Sequence, residues 1–129
     1  MTQSLEILQM AQAAARHAAA RQAVAARNAA NADTPGYKAR DIPDFAETYA
    51  ARRTEPMRAT RPQHLTGARA GNLPEARPVP TDDAAPNGNT VSLATEMLRS
   101  VEAERAHNRA VTIYGKSLDI LRAAMGRSR

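Results

Sequence analysis

The sequence predicts a mainly α protein, with long N- and C-terminal helices packing as a coiled-coil-like pair in an assembly and an irregular Pro/Gly-rich middle. Two observations carry this. Near both ends, apolar residues recur at spacings of three and four, the period of one helix face. Between them, Pro56, Pro62, Pro74, Pro78, Pro80 and Pro86, with Gly67, Gly71 and Gly88, break any long element. The expected division is 1–33 (first helix), 34–53 (turn and short helix), 54–90 (irregular insert) and 91–129 (second helix).

The first helix is expected from residue 4, with Ser4 as its cap and Glu6 in its first turn at the positive end of the dipole. Leu5, Leu8, Ala11, Ala15, Ala18, Gln22, Ala25 and Ala29 form its stripe, with large side chains only at the start. Ile7 and Met10 lie on roughly the opposite side, so the first turns are apolar nearly all round and suit burial among several neighbours. Beyond Met10 the small residues let another helix approach closely. Thr34 precedes a proline, which drives it out of the helical region and ends the helix near Asn31 or Asp33. Pro35 and Gly36 fit the central positions of a type II turn from Thr34 to Tyr37, with Gly36 at positive φ. Asn31 and Asp33 can bond backbone groups freed at the helix end.

Asp44, with Glu47 three residues on, opens a short helix through Ala51. After it, few large apolar residues (Met57, Leu65, Leu73, Val79) are available, and no strong strand pattern is present. The second long helix is expected over 91–126, capped by Thr90 or Ser92 and stopped by Gly126. Val111, Tyr114, Leu118, Leu121 and Met125 follow one another by three, four, three and four, a heptad-like seam. Carried backwards, that seam meets the polar His107, Glu104 and Ser100 before Met97 and Leu93. Arg127 and Arg129 suit the negative end of the helix.

The chain has 129 residues, about one domain by size, yet only three Tyr, one Phe and no Trp. Its hydrophobic fraction of 43% is inflated by alanine, which buries little area. Such a chain gains stability by association. With no cysteine, disulfides and thiolate metal sites are excluded. Residues 1–10 carry no Lys or Arg and do not read as a cleavable signal peptide. No run approaches the roughly 18 apolar residues of a transmembrane segment. The net charge of +5 comes mostly from arginines spread along the chain. Without a Lys/Arg-dense helix face or a recognition helix, no nucleic-acid partner is expected. A membrane-surface helix is disfavoured because the alanine face inserts poorly and aromatic anchors are missing.

The sequence offers no catalytic constellation. His17, His64 and His107 lack metal-site spacing. Asp82 and Asp83 sit in a Pro-rich loop, and Glu102 and Glu104 point in different directions from one helix. No nucleophile elbow or phosphate-binding glycine loop occurs. No enzyme activity, cofactor or metal is expected.

The stretch Ala30–Asp41, "ANADTPGYKARD", resembles the signature of flagellar rod and hook-type axial proteins. Within that family, Asn87–Met97, "NGNTVSLATEM", resembles the segment before the C-terminal helix of a short proximal-rod subunit. Ser92 and Ala94 depart from its pattern, which often has acidic residues there. The resemblance covers about residues 1–53 and 86–129. It implies a structural subunit exported through the flagellar type III apparatus without a cleaved signal peptide. Such a subunit stacks helically in the periplasmic rod and transmits torque. The implied partners are copies of itself, other flagellar rod subunits, and the MS-ring/export-gate side of the basal body. Asn28, Asn31, Asp33, Thr34, Pro35, Gly36 and Tyr37 are then expected to set the turn and contact neighbouring subunits. Leu5, Ile7, Leu8 and Met10 are expected to anchor the first helix, and the Val111–Met125 seam the second. Another short rod subunit is the in-family alternative, and a basic nucleic-acid-binding protein the alternative outside it.

Overall fold

The computed structural model describes residues 2–54, 75–80 and 84–126. The expectations for His64, for most of the 54–90 insert, and for Arg127 and Arg129 lie outside these residues. In chain order the elements are α1 (Thr2–Ala30), β1 (Arg40–Asp41), α2 (Phe45–Thr54), β2 (Arg77–Pro78) and α3 (Leu93–Gly126).

Alanine, the best helix former, supplies much of α1. The helix begins at Thr2, before Ser4, so Glu6 lies beyond the first turn rather than in it. At the other end, Asn31 and Ala32 donate to the carbonyls of Asn28 and Ala29 at 3.0 and 3.2 Å. These bonds over three residues tighten the last turn. Tyr37 N–H then bonds Thr34 C=O at 3.3 Å, and Gly36 holds φ at 71°, the type II geometry expected from Pro35-Gly36.

Helix α2 starts after Asp44, whose carbonyl accepts the Thr48 N–H at 3.0 Å, and runs on to Thr54, past the expected Ala51. Phe45 meets the His17 ring edge-on, with centroids 5.6 Å apart, and so ties α2 to α1. Helix α3 starts at Leu93, later than position 91. Ser92 stands at its N-cap, its carbonyl accepting the Glu96 N–H at 3.0 Å. Thr90 is engaged elsewhere, and α3 runs to Gly126, the last described residue.

Strands β1 and β2 form a short antiparallel ladder in which Arg40 faces Pro78 and Asp41 faces Arg77. Sequence pattern missed this pair because no apolar alternation marks it. The backbone makes the pairing, and Val79 N–H continues it to Ala39 C=O at 2.9 Å. Pro78, which has no N–H, is tolerated in so short a strand at a sheet edge.

Helices α1 and α3 lie side by side and antiparallel. Asn28 meets Glu96 at one end, and Ala15 meets His107 further along. Besides His17 and Asn28, the buried positions of the pair are Ala11, Ala18 and Ala25 on α1, and Glu96, Ala103 and Ala110 on α3, each of these two sets repeating every seven residues. Among the described residues, Ile42 is the one buried apolar side chain larger than alanine. A side chain of one methyl lets two backbones approach closely but returns only about 0.8 kcal/mol per buried carbon.

The intrachain seam therefore differs from the expected one. Val111, Tyr114 and Met125 are exposed, while Leu118 and Leu121 are half-buried. Likewise Leu5, Ile7 and Met10 are exposed and Leu8 is half-buried, so this group does not anchor α1 within the chain. Large side chains in the seam would hold the helices apart, and the alanine face gives the closer approach. His107, read as a polar interruption, faces α1 and donates from Nδ1 to the Ala15 carbonyl at 3.2 Å.

Candidate functional site

The two sequence signatures meet at the end of the helix pair where α1 stops and α3 starts. Residues 28–41 and 86–99 interlock there in a polar clasp. Its centre is Asn28, 0% exposed, on the last turn of α1. Its amide nitrogen donates to Arg40 C=O at 2.6 Å and to Glu96 Oε2 at 3.1 Å. Its amide oxygen accepts from Tyr37 O–H at 3.3 Å and Arg40 N–H at 3.2 Å. Both donors and both lone pairs of the amide are thus used. The side chain also pairs with both backbone groups of Arg40. One edge of β1 is covered by β2 and the other by Asn28, so β1 itself has no open edge.

Asn89 closes the other half of the clasp. Its amide nitrogen lies 2.9, 2.8 and 2.8 Å from the carbonyl oxygens of Asn31, Ala32 and Thr34. These oxygens, at and just beyond the end of α1, lie where backbone groups lose their helical partners. Asn89 Oδ1 in turn accepts the Val91 N–H at 2.7 Å. Gly36 N–H bonds Asn87 C=O, Thr90 N–H bonds Tyr37 C=O, and Thr90 Oγ1 accepts the Ala39 N–H. Gly88, at φ 79°, passes so close that a Cβ there would stand 3.6 Å from the Gly36 Cα.

Beside this network lies a run of charge. Arg21 grips Asp41 with two bonds, Nε to Oδ1 at 3.2 Å and Nη2 to Oδ2 at 3.0 Å. Arg99 reaches Asp41 at 3.6 Å and Glu96 at 2.6 Å. Burial pushes the Asp41 carboxyl pKa upward. The bonds from Arg21 and the Ile42 N–H, with the charges of Arg21 and Arg99, outweigh it and hold the pKa below its ordinary 3.8. The Arg21 pKa is raised, chiefly by its bond to Asp41. The chain α1–Arg21–Asp41–Arg99–Glu96–α3 thus links both helices through β1.

Of the expected turn residues, Asp33, Thr34, Pro35 and Gly36 are exposed at the tip, and Asn31 and Tyr37 are half-buried. Asn31 donates to Arg27 C=O and accepts from Thr34 O–H. Asn28 departs from the expectation of subunit contact, since it is withdrawn from the surface and holds the turn from inside. Asn89, Glu96, Asp41, Arg21 and Arg99 were not singled out from sequence. Asn89 and Glu96 stand inside the second signature, but nothing local marks their partners, which lie 55 to 68 residues away.

Chemically, the clasp is closed on itself. Among the described residues, no buried side-chain nitrogen or oxygen lacks a partner, and no group of three His, Asp or Glu could hold a metal ion. Donors and acceptors engaged with one another hold the backbone in place. His17 Nε2 donates to Pro43 C=O at 2.8 Å. No helix among the described residues is long and apolar enough to cross a membrane.

Comparison with known proteins agrees with the two signatures. The model of a family described as "Flagella basal body rod protein" matches residues 8–38, most of α1 and the turn that follows. A flagellar basal body rod protein FlgB of Agrobacterium fabrum (strain C58 / ATCC 33970) is 32% identical over 115 residues, 84% of this chain and 86% of that protein. A second FlgB, of Cereibacter sphaeroides (strain ATCC 17029 / ATH 2.4.9), is 31% identical over 100 residues, 76% and 77% of the two chains. With identity above three in ten along most of both partners, this chain belongs to the FlgB family of flagellar basal body rod proteins.

Proposed function

We propose that the chain is a structural, non-enzymatic subunit of the proximal rod of the flagellar basal body. It polymerises helically with copies of itself and with other rod subunits, and it transmits torque. The observation that carries this reading is its inverted burial. The pair closes on alanine, while Leu5, Ile7, Leu98, Val111, Ile113 and Ile120 stand exposed. So many large apolar side chains left on the surface of so small a chain suit contacts with neighbours on several sides. On two antiparallel helices, such surface meets neighbours without closing on itself, and a heterologous, non-closing contact builds a helical filament.

The same reading gives the tip Asp33–Gly36 to contacts with neighbouring subunits and places the rod in the periplasm. It has the chain exported without cleavage of a signal peptide and seated toward the MS-ring and export-gate side of the basal body. Removing the gene should leave cells non-motile and without assembled rods, by swimming assay and imaging of purified basal bodies. Normal swimming in the deletion strain would overturn the proposal.

A further inference from the structure

The seam between α1 and α3 is nearly blind to its own alignment. Buried alanines recur every seven residues on α1 at Ala11, Ala18 and Ala25, and α3 answers with Ala103 and Ala110. Sliding α3 by one heptad sets alanine against alanine again, with much the same area buried. Side chains this small have no knobs to resist the slide. Yet the fold has one alignment, with Asn28 against Glu96 and Ala15 against His107.

Among the described residues, the two largest fully buried side chains are Glu96 and Asn28, both polar. Glu96 occupies the next position of the α3 repeat before Ala103, where a third alanine would complete the pattern. A slide of one heptad that brings Ala110 level with Ala18 carries Glu96 past the end of α1 and away from Asn28, while Arg40 keeps its bonds to Asn28. It strips the carboxylate of its Asn28 partner, leaves one Asn28 donor without an acceptor, and pulls the Asn89 amide off the end of α1. Unpaired buried polar groups are penalised far more heavily than a paired one is rewarded.

We infer that the Asn28–Glu96 pair is the register lock of the helix pair, selecting one alignment among several that the alanine seam leaves nearly equal. His107 is a weaker second pin, because its acceptor is a backbone carbonyl and each heptad of α1 offers an equivalent one. Register matters beyond the single chain, because it fixes where the exposed apolar side chains of α3 stand relative to those of α1.

The chain has no cysteine, so paired cysteines report alignment directly. Ala18 and Ala103 are level in the native register, and Ala18 and Ala110 become level after a slide of one heptad. One heptad is about 10.5 Å of helix rise, beyond the roughly 7 Å limit between the Cα atoms of a disulfide. In the full-length chain at low concentration, Ala18→Cys with Ala103→Cys should oxidise to the intramolecular disulfide, and Ala18→Cys with Ala110→Cys should not. Adding Glu96→Ala should lower the first yield at least threefold and raise the second by a similar factor, with helicity by circular dichroism retained. Glu96→Gln, which keeps an acceptor for Asn28, should restore the parent pattern. Native cross-linking unchanged in Glu96→Ala would overturn the inference. So would loss of helicity together with both cross-links, because the alanine seam would then hold no alternative alignment.

Discussion

The two ends of the helix pair are built on opposite terms. At the closed end, Asn28, Asn89 and Glu96 are buried and fully hydrogen-bonded, and the apolar Leu93, Met97 and Leu98 beside them face outward and take no part in the clasp. At the open end, Ile7, Met10, Tyr114 and Met125 are apolar and exposed, with no comparable polar network among the described residues. The contrast separates two tasks along one hairpin. Directional bonds fix the chain's own geometry at one end. At the other, non-directional apolar surface is left for neighbours, where numbers and area matter more than angles.

Breaking the closed end should have the largest effect on the chain. Asn28→Ala leaves Glu96 Oε2, Tyr37 O–H and both backbone groups of Arg40 without their partner. The expected loss is about 2–4 kcal/mol, read from the urea midpoint by circular dichroism. For a chain with so small a core, that is enough to unfold it in isolation.

Gly36→Val comes next. No atom lies within 4 Å of the Cβ position, so the penalty is one of backbone conformation alone, from φ 71°. It should amount to roughly 1–3 kcal/mol. Gly36→Asn, which tolerates the left-handed region, should cost clearly less. Equal destabilisation by both would show that the turn requires something other than φ.

Asp41 supplies a pH signature of the closed end. Its folded pKa lies below the ordinary 3.8, so its stabilising contribution is fully present above the usual carboxylate range. It is lost as the pH falls below about 4, through the depressed folded value. Stability measured from pH 6 down to pH 2 should fall across that window. Asp41→Asn should flatten the fall and, at neutral pH, cost about 1–3 kcal/mol as Arg21 loses its charged partner.

The open end should answer in the reverse sense. Ile120 is 68% exposed, and Ile120→Ser should change the stability of the chain by less than about 0.5 kcal/mol. The same substitution should reduce swimming and rod recovery when it replaces the native gene. A large loss of stability with unimpaired swimming would reverse the assignment of the two ends.

Much of this architecture is legible in the sequence, for reasons that also explain what is not. Long helices announce themselves through period, and Pro35-Gly36 names its turn because the φ it requires is chemically specific. The intrachain seam was not legible because the close contact is made by alanines, whose spacing alone carries little contrast, while Val111 and Met125 stand exposed, as suits the assembly packing expected of them. The clasp was half visible, both of its strands of sequence standing out by resemblance to a family. That they bind each other was not visible, since Asn28–Glu96 and Asn89–Thr34 are pairings across more than fifty residues. Nor could pattern reveal Asn28 as internal, since an asparagine near a helix end usually serves a local cap.

The Asn89 amide has a consequence for chain length. It reaches the end of α1 from 58 residues beyond Asn31, so the clasp closes one long loop. The entropy of closing a flexible loop grows only as the logarithm of its length, about 0.6 kcal/mol for each doubling. Ten residues added between β1 and β2 would then shift the closure by only tenths of a kcal/mol. Ten residues added within α1 or α3 would displace the alignment of everything beyond them. The hairpin thus tolerates growth in one direction only, outward from the turn side of the chain, which is where a larger relative could carry an inserted domain without disturbing the helices beneath it.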